Sequence, residues 1–235
     1  MNTGTVDPVP APIKRRTYHA PSRRQAAAAT RDQIVAAARY LFIRHGYQQT
    51  AMSAVAERAG VSVDTVYTSV GKKPTLVRAV IDDVLGEGRG PVTATERSYV
   101  QEIRATPGAA AKLAVYARAL GRLQPDLAPL TQALHDAGIQ DPGCREAWRE
   151  LVERRASNMR LLAADLRATG ELREDLDDDA VADVVWATNS PEYFLLLASR
   201  GWTSRQYAEH LTDLWVRFLL RGRQGPCARH LDVAR

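Results

Sequence analysis

The segment 62–73 concentrates side chains that can bind phosphate oxygens or the edges of bases. Hydroxyls recur along it, with a carboxylate, a phenol and an ammonium group between and after them; these residues are Ser62, Asp64, Thr65, Tyr67, Thr68 and Lys73. Short hydroxyls, a phenol and an ammonium group suit phosphate oxygens, and a carboxylate can accept from a cytosine amino group. Asp64 has an alternative role as a favourable charge in the first turn of a helix. The segment therefore indicates recognition of a polyanion.

The sequence carries no motif that indicates catalysis or metal binding. It lacks a G-x-S-x-G turn, a P-loop, a dinucleotide-binding glycine fingerprint and paired metal ligands, and no two of its five histidines lie four residues apart. The distant Cys144 and Cys227 favour reduced thiols over a disulfide framework or a zinc site. The acidic run 174–179 indicates a charged loop and a helix start. We expect no enzyme activity, no metal and no cofactor.

Positive charge is concentrated at the N-terminal end of the chain. The net charge is +5, but residues 1–80 hold 12 Lys plus Arg against 4 Asp plus Glu, whereas the remainder holds 20 against 23. This asymmetry is typical of a polyanion-binding module joined to an ordinary soluble domain. A basic solvated surface is the alternative.

The composition is that of a soluble globular protein. Apolar residues make up 45% and charged residues 25% of the chain, and the densest apolar stretch, 193–198, is far shorter than the roughly 20 residues that span a bilayer. Pro, Asp and Thr stand at the N-terminus where a secretory signal would be apolar. We expect a cytoplasmic protein with no membrane partner.

Residues 1–29 differ in composition from the rest of the chain. They contain four prolines, few large apolar side chains, and the basic clusters 14–16 and 23–24. This composition predicts a disordered basic arm. The arm is either an electrostatic tether that reaches phosphates or the minor groove, or a variable solvated extension.

Apolar residues then recur at helical spacing in three short segments, each followed by a glycine. The predicted helices run from Thr30, a candidate N-cap, to Gly46, from Thr50 to Gly60, and from Ser62, a second candidate N-cap, to Gly71. A fourth helix follows Lys72-Lys73-Pro74, since proline suits a first helical turn. The remaining predicted helices are about 97–104, 108–122, 126–138, 142–169, 177–200 and 204–221. Because no segment shows strand alternation, the predicted fold is all-α.

The second and third helices have the features of a helix-turn-helix. Such a motif needs small residues between its helices, a tight turn and a polar outer face on the second helix. Ala56, Gly60, Val61 and Val66 meet the first two needs. Asp64, Thr65, Thr68 and Ser69 supply the polar outer face.

Three stretches in this region resemble the tetracycline-repressor (TetR) family of bacterial regulators. They are I-V-A-A-A-R-Y-L-F-I-R-H-G-Y-Q-Q-T, A-V-A-E-R-A-G-V-S-V-D-T-V-Y and K-K-P-T-L-V-R-A-V. The resemblance is close across residues 34–81, whereas the C-terminal two-thirds is similar only in being helical and of suitable length.

The resemblance assigns DNA contacts to individual residues. It implies that Val63, Asp64, Thr65 and Thr68 face the major groove, that Tyr67 contacts the DNA backbone, that Thr50 and Lys73 hold phosphates, and that Ser62 lies beside them at the start of the helix. Tyr67 has the alternative role of a half-buried core aromatic. Many members of the family carry a basic or amide residue near Val63 and bulky rings near Thr68, whereas this chain has small or apolar residues there. Fewer bidentate base contacts are therefore available.

The resemblance also implies a dimer and an effector site. The helices 177–200 and 204–221 would pair with their copies in a second subunit to form a four-helix interface. An unknown small molecule would bind among the middle helices, where the candidate lining residues are Tyr116, Arg118, His135, Trp148 and Met159. Each of these has the alternative role of an ordinary core or surface residue.

Together these features predict an arm at 1–29, a helix-turn-helix domain at 30–76, a helical regulatory and dimerisation domain at 77–222, and a tail at 223–235. The expected function is that of a homodimeric repressor that a small-molecule effector releases from a palindromic operator in double-stranded DNA. The alternative is an activator, or a ligand-dependent interaction protein with weakened DNA contact.

Overall fold

The computed structural model describes residues 20–88 and 92–222, and this part of the chain is almost entirely helical. The α-helices are α1 (Ala20–Gln49), α2 (Met52–Ala59), α3 (Val63–Val70), α4 (Lys73–Leu85), α5 (Ser98–Ala105), α6 (Ala109–Gly138), α7 (Pro142–Arg167), α8 (Asp178–Thr188), α9 (Pro191–Ala198) and α10 (Ser204–Leu219), with a 3-10 helix at Ala94–Glu96. Within the described residues, β-type pairing is limited to one bridge between Leu172 and Leu220. The prediction of an all-α fold is confirmed.

The N-terminal helices α1, α2 and α3 pack on one another as the predicted three-helix unit, which we call the head. Its core contains Ile34, Ala38, Val55, Ala56 and Val66. Gly60 adopts φ 68° after α2, a left-handed conformation that glycine reaches without steric cost. The Ser62 Oγ then accepts from the Thr65 N–H at 3.1 Å and caps α3. The predicted turn and N-cap are both confirmed.

Helix α1 begins ten residues earlier than predicted, at Ala20 instead of Thr30. Thr30 is inside the helix, and its hydroxyl donates to the Ala26 carbonyl oxygen at 3.0 Å. Alanine has the highest helix propensity, so the run 26–29 continues the helix, and the prediction of disorder is wrong for residues 20–29. The rest of the predicted arm, the predicted tail at 223–235 and Cys227 lie outside the described residues.

Helix α6 runs without interruption through the break predicted between residues 122 and 126. It contains Pro125 and Pro129, and proline inside a helix removes a hydrogen bond and costs about 3 kcal/mol. Both prolines are exposed, whereas Leu123, Leu127 and Leu130 between and beside them are buried. The packing of the opposite face offsets the local cost, and α6 becomes the central helix, in contact with α1, α4, α5, α7, α9 and α10.

The single helix predicted over 177–200 is divided into α8 and α9. The chain breaks at Asn189-Ser190, where the Ser190 Oγ accepts from the Tyr193 N–H at 3.1 Å and Pro191 occupies the first turn of α9. The start of α8 agrees with the prediction made from the acidic run, since the Asp177 carboxylate accepts from the Ala180 N–H at 2.8 Å.

Helix α4 joins the head to the larger helical body, α5 to α10, and packs against α1, α6 and α7. The predicted domain boundary between residues 76 and 77 falls inside this helix. Four ion pairs add to the apolar packing: Arg39 with Asp83 and with Asp126, Arg78 with Glu150, and Arg154 with Asp82. No helix in the described part of the chain is both long and apolar enough to cross a membrane.

Candidate functional site

Helix α3 divides its side chains between two faces. Val66 and Val70 are buried against the head, whereas Val63 is 38% and Tyr67 47% exposed. We call the outer set, Ser62, Val63, Asp64, Thr65, Tyr67 and Thr68, the recognition face; of these Thr65 alone is half-buried and the others are exposed. The alternative interpretation of Tyr67 as a core aromatic is therefore wrong.

Local hydrogen bonds fix the backbone of the recognition face. The Ser62 hydroxyl lies 2.8 Å from the Thr65 hydroxyl, and the Thr68 hydroxyl donates to the Asp64 carbonyl oxygen at 2.9 Å. At the far end of α3, the Arg31 guanidinium donates to the Ser69 carbonyl oxygen at 3.2 Å. A short helix held at both ends presents its outer side chains in one arrangement, which lowers the entropy cost of binding.

Thr50 and Lys73, which are predicted to bind phosphates, have side chains that form hydrogen bonds within the protein. Thr50 is 3% exposed, and its hydroxyl donates to the Gly46 carbonyl oxygen at 2.9 Å, so its side chain serves the end of α1. The Lys73 ammonium donates to the Gln48 carbonyl oxygen at 3.3 Å and lies 4.4 Å from the centre of the Tyr47 ring. Burial lowers the pKa of Lys73. Lys72, its exposed neighbour, is the cation that sequence reasoning passed over.

A cavity of about 400 Å³ lies in the body. Its wall comes mostly from α5, α6 and α7, together with Leu85 from α4 and Asn189 from the break between α8 and α9. Among the predicted effector residues, Tyr116, Trp148 and Met159 line it. Such a volume is within the range of small-molecule sites.

Two of the predicted effector residues do not line the cavity. Arg118 is on the exposed side of α6, where it lies 3.7 Å from Glu102. His135 is also exposed, and its ring packs edge-on against Trp148 at 5.1 Å between centroids. Both residues are on α6, which lines the cavity, but each lies on a side of the helix that faces solvent.

Hydrogen bonds join three polar side chains in the cavity wall, Tyr116, Arg155 and Asn189. The Asn189 side-chain amide donates to the Tyr116 hydroxyl at 2.8 Å, and its Oδ1 accepts from the Arg155 guanidinium at 2.6 Å. Arg155 also donates to the Trp186 carbonyl oxygen at 2.9 Å. Burial raises the pKa of Tyr116, which keeps this phenol neutral, and it lowers the pKa of Arg155.

Arg97 has a different environment, and sequence reasoning did not single it out. The residue is 6% exposed and lines the cavity from the start of α5. Its guanidinium donates to the Tyr99 hydroxyl at 3.3 Å, while its Nε is buried without a hydrogen-bond partner. Among the described residues, no carboxylate forms an ion pair with it. Nothing in the sequence distinguishes this arginine from a surface arginine.

The cavity wall is linked to the head through α4. Leu85, at the end of α4, is itself part of the wall. Arg154 also lines the cavity, and its guanidinium lies 2.7 Å from the Asp82 carboxylate of α4. A molecule in the cavity would therefore contact the helix whose other end lies beside α3.

A comparison with family models matches the head. Residues 34–80 match the model described as "Bacterial regulatory proteins, tetR family". This match shows that residues 34–80 form a tetR-family domain. It coincides with the region that carries the recognition face, and the resemblance stated from the sequence is confirmed.

Solved structures share the fold of this chain. The fatty acid degradation regulator FadR from Bacillus halodurans is 18% identical, with a TM-score of 0.64 over 80% of this chain and 94% of that chain. FadR from Bacillus subtilis in complex with stearoyl-CoA is 21% identical, with a TM-score of 0.62 over 78% and 96%. A transcriptional regulator from Saccharomonospora viridis in complex with choline is 19% identical, with a TM-score of 0.63 over 83% and 99%. A search of curated protein sequences found no match.

The helices expected to form the dimer interface use part of their apolar surface internally. Residues of these helices that are buried in the subunit's own core include Val181, Val185, Leu211, Trp215 and Leu219. Leu196 and Phe218 stay exposed, at 64% and 42%, and Leu214 is half-buried beside Phe218 on α10. We call Leu196, Leu214 and Phe218, with the half-buried Val184, the outer face.

Proposed function

We propose that this tetR-family protein is a homodimeric transcriptional repressor that binds a palindromic operator through α3 and leaves it when a small molecule fills the cavity. The recognition face is the observation that carries the proposal. Val63 and Tyr67 are large side chains left exposed on a helix whose backbone is fixed at both ends. An α-helix about 10–12 Å wide fits the major groove of DNA.

The recognition face favours binding that depends on the DNA backbone. It contains no arginine, lysine, asparagine or glutamine, which are the residues that make bidentate contacts with bases. Base reading would then depend on Asp64, on hydroxyls and on contact between Val63 and a thymine methyl group. Tyr67 on this face and the exposed Lys72 that follows α3 would contact phosphates. The basic balance of residues 1–80 supports affinity through phosphates and a strong dependence on salt.

A second copy of the chain is the occupant that we propose for the outer face. One short recognition helix reads only a few base pairs, and a two-fold dimer places two such helices about 34 Å apart, one turn of DNA. Apolar side chains as exposed as Leu196 and Phe218 are also typical of surfaces that a partner covers. The bacterial chromosome lies in the cytoplasm, and we place the protein there.

The effector response would pass through α4. In the neighbouring structures named above, regulators of the same fold are in complex with stearoyl-CoA or choline, which supports a binding role for the cavity. A ligand against Leu85 and Arg154 would favour one position of α4. A second position would change the spacing of the two heads and weaken operator binding.

An activator, or an interaction protein with weak DNA contact, is the second candidate. The absence of amide and basic side chains from the recognition face favours it. Selection of bound sequences from a random DNA pool separates a DNA-binding regulator, whether repressor or activator, from an interaction protein with weak DNA contact. We expect an inverted repeat with half-sites about one helical turn apart. A pool without enrichment, or one enriched equally by the Tyr67→Ala, Lys72→Ala double variant, would overturn the repressor proposal.

A further inference from the structure

Arg97 is a buried cation without a described anionic partner. Burying a charge is costly unless it is paired and hydrogen-bonded, and arginine stays protonated at any physiological pH. Its one hydrogen bond to another side chain in the described part of the chain is the long contact to the neutral Tyr99 hydroxyl. A guanidinium has five N–H donors, so this single contact leaves most of its capacity unused.

The other charges of the cavity wall do not neutralise Arg97. The Asp165 carboxylate lies 2.8 Å from the Lys112 ammonium, and Arg154 is paired with Asp82. Arg155 is hydrogen-bonded to neutral oxygens of Trp186 and Asn189. The wall therefore has two buried guanidinium groups, Arg97 and Arg155, without an ion pair to a described carboxylate.

The rest of the wall is mainly apolar. Its apolar side chains include Leu120, Leu123, Leu127, Leu151 and Leu162 of α6 and α7. The Tyr116 ring, which could otherwise hold a cation on its face, stacks between Tyr99 and Trp215 at 6.3 and 5.7 Å. The cavity thus holds two guanidinium groups without a described ion pair in a mainly apolar chamber, and Arg97 is the one whose buried Nε has no hydrogen-bond partner.

We propose that the cavity binds an organic carboxylate with an apolar body, and that Arg97 holds its carboxylate. This inference names the effector class of the proposed regulator and rests on that proposed function. Arginine matches a carboxylate with two parallel hydrogen bonds, and the leucine wall buries the apolar part of the molecule. A cationic ligand is disfavoured because two guanidinium groups would repel it.

Three probes with the same alkyl chain test the charge preference: decanoate, decanol and decylamine. Binding is measured at neutral pH without DNA, by titration calorimetry and by the fluorescence of Trp148, which lines the cavity. We expect decanoate to bind at least tenfold more tightly than decanol, a difference of about 1.4 kcal/mol, and decylamine to bind most weakly. Equal binding of decanol, tighter binding of decylamine, or no binding of decanoate would overturn the proposal.

Variants of Arg97 then separate a binding role from a structural one. Arg97→Met should abolish the preference for decanoate and, by removing an unpaired buried charge, raise the melting temperature of the ligand-free protein by about 2–4 °C. Arg97→Lys should retain part of the preference, and Arg118→Met, on the exposed side of α6, should change neither quantity. A lower melting temperature with the decanoate preference intact would show a structural role and refute the assignment.

The effect of decanoate on operator affinity is tested separately from its binding to the cavity. Decanoate binding that depends on Arg97 but does not change operator affinity would leave the site assigned and would contradict only the proposed release mechanism. If the unmodified protein binds no operator, the proposed function fails, but the titrations with the three probes still show whether Arg97 binds a carboxylate.

Discussion

Val66 and Tyr67 are adjacent on α3 but should respond to substitution in opposite ways. Val66 is 0% exposed and belongs to the core of the head, whereas Tyr67 is 47% exposed on the recognition face. Among the described residues no group forms a hydrogen bond with the Tyr67 hydroxyl. The pair therefore separates the stability of the head from its capacity to bind DNA.

The magnitudes follow from burial. Val66→Ala removes two buried methyl groups at about 0.8 kcal/mol each, and the space left behind raises the cost to about 2 kcal/mol. For a chain of this size the melting temperature should fall by roughly 4–8 °C. Tyr67→Phe removes only an exposed hydroxyl and should leave the melting temperature within about 1 °C. A hydrogen bond to a phosphate contributes about 1.5–3 kcal/mol, so operator affinity should fall roughly tenfold or more.

Thermal unfolding and fluorescence anisotropy with the selected operator measure the two effects. At a temperature well below unfolding, Val66→Ala should keep operator affinity within about threefold, because the recognition face itself is unchanged. Full operator affinity in Tyr67→Phe would refute the assignment of this hydroxyl to the DNA backbone. If Tyr67→Phe lowers the melting temperature as far as Val66→Ala does, the placement of Tyr67 on the exposed recognition face is refuted.

Three further predictions concern α4, α8 and the junction with the head. Asp82→Asn breaks the pair with Arg154 and should leave the operator affinity of the ligand-free protein nearly unchanged while reducing the effect of decanoate in a gel-shift titration. Asp177→Ala removes the cap of α8 and should lower the free energy of unfolding by about 1 kcal/mol, whereas Asp177→Asn retains most of it, as chemical denaturation can measure. Burial lowers the pKa of Lys73 from 10.5, so between the lowered pKa and 10.5 this side chain binds fewer protons in the folded chain than in the unfolded chain, and its contribution to stability rises with pH. Burial raises the pKa of Tyr47, Tyr116 and Tyr207, which acts in the opposite direction. The free energy of unfolding of the unmodified protein relative to that of Lys73→Met, measured in denaturation series across that window, should therefore rise with pH.

Local sequence signals predict the head well because its boundaries depend on local chemistry. Gly60 and Ser62 act through their own backbone and side chain, so their roles can be seen from residue type and spacing. Thr30 marks the start of α1 wrongly. Threonine is a common N-cap, but alanine has the highest helix propensity, so the alanine run before Thr30 extends the helix.

Tertiary contacts decide the features that the sequence does not reveal. Pro125 and Pro129 predict a break in α6 by local rules, but the buried leucines on the opposite face keep the helix continuous. Arg118 and Arg97 are the same residue type beside similar apolar patterns, yet one is exposed and the other lines the cavity. The direction of a side chain within a packed bundle depends on every helix that contacts it, and spacing along one helix does not contain that information.

The position of α4 explains how a cavity in the body can control a head that makes no contact with the ligand. The helix has 13 residues and is therefore about 20 Å long at 1.5 Å per residue. Leu85 at one end lines the cavity, and Lys72 precedes the other end beside the recognition face. Since packed helices shift by about 1–2 Å between discrete positions, a displacement at Leu85 would be carried along a rigid element to the phosphate-binding end. In the proposed dimer two such displacements would act together on the spacing of the two recognition helices, so a small change in each subunit would be sufficient to weaken operator binding.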